Sequence, residues 1–452
     1  MNLEEAQQWL SDGEFEYVRF EQTDLHGLSR GKTIPTRHFH HFASRGLNFF
    51  GGLLGLDVQS GVAPGTGYMD ERSFQDQLVW PQLDTLAPVP WIPGTAKVLC
   101  EPTWYGGTPA EAGPRWLLRQ MLERLDGMGY GLRSGFEYEV YLVDAESRRP
   151  VFDGIQIFWT LRNDFDPGFM TQILDVMHEA GIDIITSNAE YGPGQLEVNY
   201  APAMGVTAAD QAFTFKTGLK EMAQQYGYMA SFMTKPYADQ SASGGHFHHS
   251  LLSKDSGRNA FYDSGSADGL SETARFWIGG QIAHARALTA LASPTVNCGK
   301  RYKLYSFAPM NATWGYEDRT AAIRVKGGRE DETRVENRLP SAAANPYLVA
   351  AGIIAAGIDG IVNRIEPPAA GTQMAYADEA APKLPVTLGE ALEAYEQDTA
   401  LHDFFGPEFN QLFLAVKRHE IGKARTAVPE YDSSEWTNEV TDWERENFFE
   451  YL

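Results

Sequence analysis

The stretch GFEYEVYLVD, residues 135–144, is an apolar strand pattern interrupted by two acidic residues, Glu137 and Glu139. Side chains two positions apart on a strand share one face, so both carboxylates project together. Two unpaired carboxylates repel each other and are costly to bury. The pair therefore predicts either a solvent-facing strand edge or a site whose charge is balanced by another group.

Two further segments carry chemistry in a similar pattern. Glu190 and Glu197 flank a Gly-Pro-Gly-Gln turn in EYGPGQLEVNY, and the turn can bring both acids to one site. His246 and His248 alternate in GGHFHHSLL, which is typical of a metal or phosphate site. A polar hairpin and a structural histidine pair are the alternatives.

Arginines are concentrated in the last third of the chain. In TRVENRLP, one strand face would carry Arg334, Glu336 and Arg338 in a plus, minus, plus order. The planar guanidinium group suits carboxylate and phosphate, although a surface ion-pair ladder has the same pattern. Nearby arginines are Arg301, Arg319 and Arg324.

The combination favours one chemistry. Carboxylates with imidazoles suit hard divalent cations such as Mg²⁺ or Mn²⁺, and arginines suit polyphosphate and a carboxylate substrate. Together they indicate ATP-dependent activation of a carboxylate. Neither of the Gly-rich nucleotide motifs, GxGxxG and GxxxxGK[ST], occurs in the sequence.

Composition excludes several classes of protein. The 452 residues contain 37 basic and 60 acidic side chains, for a net charge of −23, which disfavours binding to nucleic acid or anionic membrane. The two cysteines, Cys100 and Cys298, cannot form a disulfide framework. The apolar stretch from Tyr347 to Ile358 is shorter than the roughly 20 residues that a membrane span needs. No signal peptide is recognisable, and a cytoplasmic protein is expected.

Local patterns predict an α+β protein. A short helix is expected over Glu4–Leu10, two strands within 16–35, and an amphipathic helix over Pro114–Met128. A boundary near residue 105 would separate a small β-rich domain, 1–105, from a large domain, 106–452. Further helices are expected over 168–180, 207–227, 270–292, 345–364 and 387–397.

The ordered motifs resemble those of the glutamine synthetase family, type I branch, over nearly the whole chain. They run from TDLHGLSRGKTIP through GFEYEVYLVD, EYGPGQLEV, SGGHFHHSL, NCGKRY and WGYEDRTAAIR to TRVENRLPSAAANPYLVAAG. Within the family, the chain is similar to γ-glutamyl-amine ligases and to lengsin, a member thought to be non-catalytic. The resemblance implies a β-grasp N-terminal domain and a catalytic domain whose curved antiparallel sheet is flanked by helices. It also implies a homo-oligomer, a double-ring dodecamer, with active sites shared between neighbouring subunits.

The resemblance also assigns roles to residues and implies two or three Mg²⁺ or Mn²⁺ ions per site. One metal would be bound by Glu139, Glu190 and Glu197, and the other by Glu137, His246 and Glu336. The expected ATP contacts are His248, Ser250, Arg324 and Arg334. The expected glutamate contacts are Gly244, Arg301 and Arg338. Arg301 and Arg319 are the expected catalytic residues, Arg319 by stabilising the transferring phosphoryl group.

Two departures from the family pattern concern the nitrogen substrate. The flap glutamate of glutamine synthetases falls on Phe307, and the ammonium-pocket aspartate falls near Phe49 and Phe50. These phenylalanines are the expected amine pocket, in which an apolar substituent would gain about 0.8 kcal/mol per CH₂ group. The expected function is therefore ATP-dependent ligation of L-glutamate to a small amine through γ-glutamyl phosphate. The alternatives are glutamine synthetase using ammonia, with Glu317 or Asp57 as the acid, and a lengsin-like structural protein.

Overall fold

The computed structural model describes residues 1–155 and 157–452, and their strands form two sheets. The first sheet contains β1 Tyr17–Thr23, β2 Ser29–Pro35, β3 Leu47–Phe50, β4 Asp76–Pro81, β5 Ala87–Pro88 and β6 Thr95–Trp104. The second contains β7 Tyr130–Asp144, β8 Ile184–Ala189, β9 Gln195–Tyr200, β10 Ala203–Met204, β11 Tyr228–Ser231, β12 Gly245–Ser253, β13 Trp314–Tyr316, β14 Ile323–Lys326 and β15 Arg334–Asn337.

Helices precede, connect and cover these strands. They are α1 Leu3–Asp12, α2 Phe39–Arg45, α3 Pro114–Gly127, α4 Thr160–Asn163, α5 Pro167–Glu179, α6 Thr207–Gln225, α7 Glu272–Ala283, α8 Ala285–Ala292, α9 Pro346–Asn363, α10 Leu388–Gln397, α11 Thr399–Ala427 and α12 Asp442–Glu444.

The N-terminal sheet has the order β2-β1-β6-β4-β3, with β5 paired to β6. β1 pairs with β2 in antiparallel fashion and with β6 in parallel fashion. The two strands expected within 16–35 are confirmed, since alternate residues of β1 such as Val18 and Phe20 are buried. The helix expected at the N-terminus is also confirmed, and Asn2 and Glu5 begin it with a capping box.

The larger sheet has the order β13-β14-β15-β12-β7-β9-β8, and β10 and β11 also pair with β7. It is antiparallel except where Trp314–Tyr316 runs parallel to Ile323–Lys326. The expected antiparallel sheet is therefore present, with this one parallel pair at its edge. The α+β class is confirmed.

All the predicted helices are present, one of them divided in two, but α2, α4, α11 and α12 were not predicted. The segment 270–292 forms two helices that are separated at His284, whose ring lies between the carboxylates of Asp359 and Asp398. The sequence patterns do not predict α11, because Gly406 and Pro407 in its first third are typical helix breakers. Gly406 is indeed non-helical, with φ 78°, and α11 bends there.

Helix α9 lies in the core of the larger domain. By length and composition it could cross a membrane, but 78% of its apolar window is buried inside the fold. Its Gly360 packs against Gly280 of α7 so closely that a Cβ on Gly280 would lie 2.8 Å from the Gly360 Cα. This approach brings α7 over the sheet and places Trp277 against β12. The domain boundary near residue 105 lies between β6 and α3 and stays a prediction.

Candidate active site

Strand register brings the motifs of five strands to one face of the larger sheet. His246 lies opposite Glu137, and Glu139 lies opposite Glu197. Glu336 lies between its two neighbours, opposite His248 on β12 and Arg324 on β14. Directly opposed residues of antiparallel strands project to the same side, so these side chains converge.

Glu137 is the centre of this arrangement. Its carboxylate lies 2.9 Å from Nδ1 of His246 and 3.2 Å from Nε2 of His248. Burial disfavours the charged form of Glu137, but the hydrogen bonds with His246 and His248 outweigh it and hold the pKa well below its ordinary value. Glu137 is therefore an ionised carboxylate at neutral pH, with both imidazoles directed at it.

Glu336 is fully buried between two arginines. Its carboxylate accepts a hydrogen bond from Nη1 of Arg324 at 3.1 Å and another from Nη1 of Arg338. Burial opposes ionisation, but the charge of Arg338, followed by that of His248, lowers the pKa of Glu336 to about 2. Glu336 thus stays charged and fixes both guanidinium groups.

Glu190 and Glu197, in contrast, lie beside other carboxylates. Burial, followed by the charge of Glu139, raises the pKa of Glu190 to about 7. Burial, followed by the charges of Glu137 and Glu139, raises the pKa of Glu197 to about 9. Both pKa values are raised because burial and neighbouring negative charges disfavour the ionised carboxylates. A bound cation would balance that negative charge.

The donor set fits divalent metal ions. Carboxylate oxygens with one or two imidazoles are ligands for Mg²⁺ and Mn²⁺. Ligand atoms of Glu137, His248 and Glu336 lie within 4.8 Å of one another, which is the spacing of a coordination sphere. His246, rather than His248, was the histidine expected to bind this metal. Its Nδ1 contacts Glu137, and its Nε2 lies 3.1 Å from Nη2 of Arg301. Both histidines therefore remain candidate ligands.

Two cavities meet at Glu137. A cavity of about 280 Å³ is lined by the acidic cluster and by Arg301, Arg319 and Arg338. A second cavity, of about 380 Å³, is lined by His248, Ser250 and Arg334. Glu137 lines both. Arg301 and Arg338, expected to bind glutamate, therefore line one cavity, and His248, Ser250 and Arg334, expected to bind ATP, line the other, while Gly244 and Arg324 line neither.

One arginine of the first cavity has a donor without a partner among the described residues. Arg338 is buried, and its Nε has no hydrogen-bond partner among the described residues. Arg301 donates to the carbonyl oxygens of Arg338 and Leu339 at 3.1 and 3.2 Å. Gly244 is needed beside them, because a Cβ there would lie 2.7 Å from His246 Nε2 and 3.1 Å from Arg301 Nη2. A buried donor without a partner is costly unless a ligand such as a carboxylate accepts from it.

The expected amine pocket is only partly assembled within one chain. Phe307 lines the first cavity, and its ring stacks on Tyr191 with centroids 5.8 Å apart. Phe49 and Phe50 are on β3 of the N-terminal sheet and do not line this cavity. Whether a neighbouring subunit supplies them stays a prediction.

The two alternative acids are engaged elsewhere. Glu317 accepts a hydrogen bond from Nη2 of Arg324 at 2.6 Å. Asp57 accepts one from Nζ of Lys423 at 2.7 Å. Neither residue lines the first cavity.

Sequence reasoning missed the residues that support the site from behind. Trp277 Nε1 donates to Nε2 of His249 at 2.9 Å, and Gln281 accepts from Asn337 at 2.9 Å. His249 follows His248 directly, and Asn337 follows Glu336, so these bonds fix both strands. Tyr191 and Phe158, which line the first cavity, were also missed. The position of Tyr191 next to Glu190 was the one signal that could have identified it.

Comparison with known proteins agrees with this geometry. A family model described as the glutamine synthetase catalytic domain matches residues 111–436. The chain belongs to the glutamine synthetase family. Because the matched region is the catalytic domain, the protein is a ligase enzyme. Its fold is that of the glutamine synthetase family.

The chain is similar to the following proteins over most of its length. Lengsin of Canis lupus familiaris is 32% identical over 460 residues, which cover 100% of this chain and 76% of lengsin. The glutamate–isopropylamine ligase of a Pseudomonas species is 32% identical, covering 92% of this chain and 93% of that enzyme. A solved GmaS/ADP complex superposes with a TM-score of 0.84 at 29% identity, covering 98% of each chain.

Proposed function

We propose that this protein joins the γ-carboxylate of L-glutamate to an amine at the expense of ATP. The observation that carries the proposal is the meeting of two cavities at Glu137, one rich in arginine donors and the other containing His248, Ser250 and Arg334. An ATP-binding cavity that opens onto a carboxylate-binding cavity suits phosphoryl transfer between the two ligands.

Roles follow from the positions of the side chains. The unpartnered Nε of Arg338 and the guanidinium of Arg301 bind the carboxylates of glutamate. Arg319, which lines the same cavity, stabilises negative charge on the transferring phosphoryl group. Divalent cations bound by the acidic cluster and its histidines would supply charge neutralisation for the ATP phosphates.

The reaction has two chemical steps. An oxygen of the γ-carboxylate attacks the γ-phosphorus of ATP; the new O–P bond forms as the bond to ADP breaks. The amine nitrogen then attacks the acyl carbon of γ-glutamyl phosphate, the C–O bond to phosphate breaks as the C–N bond forms, and the nitrogen loses one proton to the departing phosphate. Closure of the site against water would favour the amine over hydrolysis.

Phosphate release by the full-length protein with ATP, Mg²⁺, glutamate and a panel of amines tests the proposal. Release should require both glutamate and an amine. Glu137→Ala and Glu336→Ala should abolish it, because each removes a candidate metal ligand. Glu179→Ala, which changes an exposed acid on α5, is the matched control and should retain activity. No glutamate-dependent release with any amine would refute the proposal and favour a lengsin-like role.

A further inference from the structure

One wall of the first cavity is aromatic. Phe158, Tyr191 and Phe307 line it from three separate loops. The rings of Tyr191 and Phe307 stack with centroids 5.8 Å apart and planes 23° apart. This spacing is that of a direct pair, so the two rings contact each other, and their exposed surfaces together form an aromatic face of the cavity. Both rings are more than one-third exposed, so a ligand can reach this face.

The backbone holds two of these rings in place. Phe307 and Phe158 have φ values of 56° and 58°, in the left-handed region that bulky residues rarely adopt. The Phe307 carbonyl accepts from Nη2 of Arg338 at 3.1 Å, and the Phe158 N–H donates to Ala189 O at 2.9 Å. Strained residues of this kind persist where the surrounding structure imposes them, and they cluster at ligand sites.

A second observation concerns proton acceptors. Among the lining residues that the structure describes, the acidic side chains are those of the candidate metal cluster, Glu137, Glu139, Glu190 and Glu197. Glu317 and Asp57 are paired with basic residues and lie outside the cavity. Among the described residues, no carboxylate outside the candidate metal cluster lines the first cavity.

We infer that the amine substrate is an arylamine, in which the amino group is attached directly to an aromatic ring. The inference rests on the proposed function and specifies its substrate class. An arylamine is neutral at pH 7, because its lone pair is delocalised into the ring, so it needs no carboxylate to remove a proton before attack. Its ring packs on the face formed by Tyr191 and Phe307.

The chemical step balances without an enzyme base before attack. The neutral nitrogen forms the C–N bond with the acyl carbon of γ-glutamyl phosphate as the C–O bond to phosphate breaks. The nitrogen then loses one proton to the departing phosphate. The products are the γ-glutamyl anilide and inorganic phosphate.

The test compares kcat/KM at pH 7 for aniline, ammonia, methylamine and isopropylamine with the full-length protein, ATP, Mg²⁺ and glutamate. The expected result is that aniline exceeds each of the others at least tenfold. If ammonia or an alkylamine matches or exceeds aniline, the inference is wrong although the proposed ligase function stands. If no amine supports glutamate-dependent phosphate release, the proposed function itself fails and the inference fails with it.

The pH dependence tests the absence of a base directly. An alkylammonium ion has a pKa of about 10.4, so its neutral fraction rises about tenfold per pH unit between pH 7 and 9. The ratio of kcat/KM for aniline to that for isopropylamine should fall by the same factor, because groups on the enzyme affect both substrates alike. A constant ratio would reveal a base that deprotonates the bound alkylammonium ion and would overturn the inference.

Variants locate the aromatic face. Tyr191→Leu and Phe307→Leu should each lower kcat/KM for aniline about twofold to tenfold, the range measured for aromatic pairs, and leave the KM for glutamate nearly unchanged. The matched control is Tyr305→Leu, in the same loop as Phe307 but 69% exposed and outside the cavity lining, and it should keep aniline activity. If Tyr191→Leu and Phe307→Leu change only the assembled mass, the face is a subunit contact and the inference is wrong.

Discussion

Metal binding should release protons from the acidic cluster. The experiment adds Mn²⁺ or Mg²⁺ to the metal-free, full-length protein at pH 7. Burial and the neighbouring carboxylates raise the pKa of Glu197 to about 9 and that of Glu190 to about 7. At pH 7, Glu197 therefore holds nearly a full proton and Glu190 about half of one. A cation displaces these protons, because a carboxylate ligand must be ionised.

The expected release is about 1.5 protons per site at pH 7 and about half a proton at pH 9, where Glu190 is already ionised and Glu197 is half ionised. Cation affinity should rise over the same interval. The assay is isothermal titration calorimetry in buffers of different ionisation enthalpy, whose slope gives the number of protons.

Two variants make the measurement specific. Glu197→Gln removes the proton with the highest pKa, so release at pH 7 should fall to about half a proton. Glu179→Gln, on the surface of α5, should leave the value of the wild-type protein unchanged. A release below about 0.3 proton in the wild-type protein, or no decrease in Glu197→Gln, would refute the assignment of this cluster to a metal.

Three further predictions concern the nitrogen substrate, assembly and stability. Phe307→Glu should raise kcat/KM for ammonia about tenfold and lower it for an apolar amine, because a carboxylate replaces an apolar contact; unchanged selectivity would argue against Phe307 as a wall of the amine pocket. Light scattering should find the active species to be larger than the 50.2 kDa chain, and an active monomer would contradict a site shared between subunits. Burial opposes the charged form of His284, but hydrogen bonds to Asp398 and Asp359 outweigh it and raise the pKa. Its contribution to stability is therefore complete below about pH 6.5 and is lost as pH rises through the folded pKa. His284→Asn should lower the free energy of unfolding by about 2 kcal/mol at pH 6 and by less at pH 9, as measured by denaturant titration; an equal loss at both values would show that the imidazole is neutral.

The chemistry of the site was predictable because it depends on local alternation. Glu137 and Glu139 share a face in any strand, as do His246 and His248, and an acid between two arginines is visible at Glu336. The order of these motifs along the chain was sufficient to identify the family. None of this depends on which strand pairs with which.

Partners across the sheet and behind it were decided by the tertiary structure. Glu317 is an acid at a suitable place in the sequence, but it accepts a hydrogen bond from Arg324 and does not line the first cavity. His249 directly follows His248 in the sequence, but its ring accepts a hydrogen bond from Trp277 of α7. Phe49 and Phe307 seem equivalent in the sequence, but only Phe307 reaches the cavity, where it meets Tyr191. The physical reason is that alternation fixes which residues of one strand share a face, whereas contacts between distant segments depend on register, helix packing and loop conformation, which no local pattern encodes.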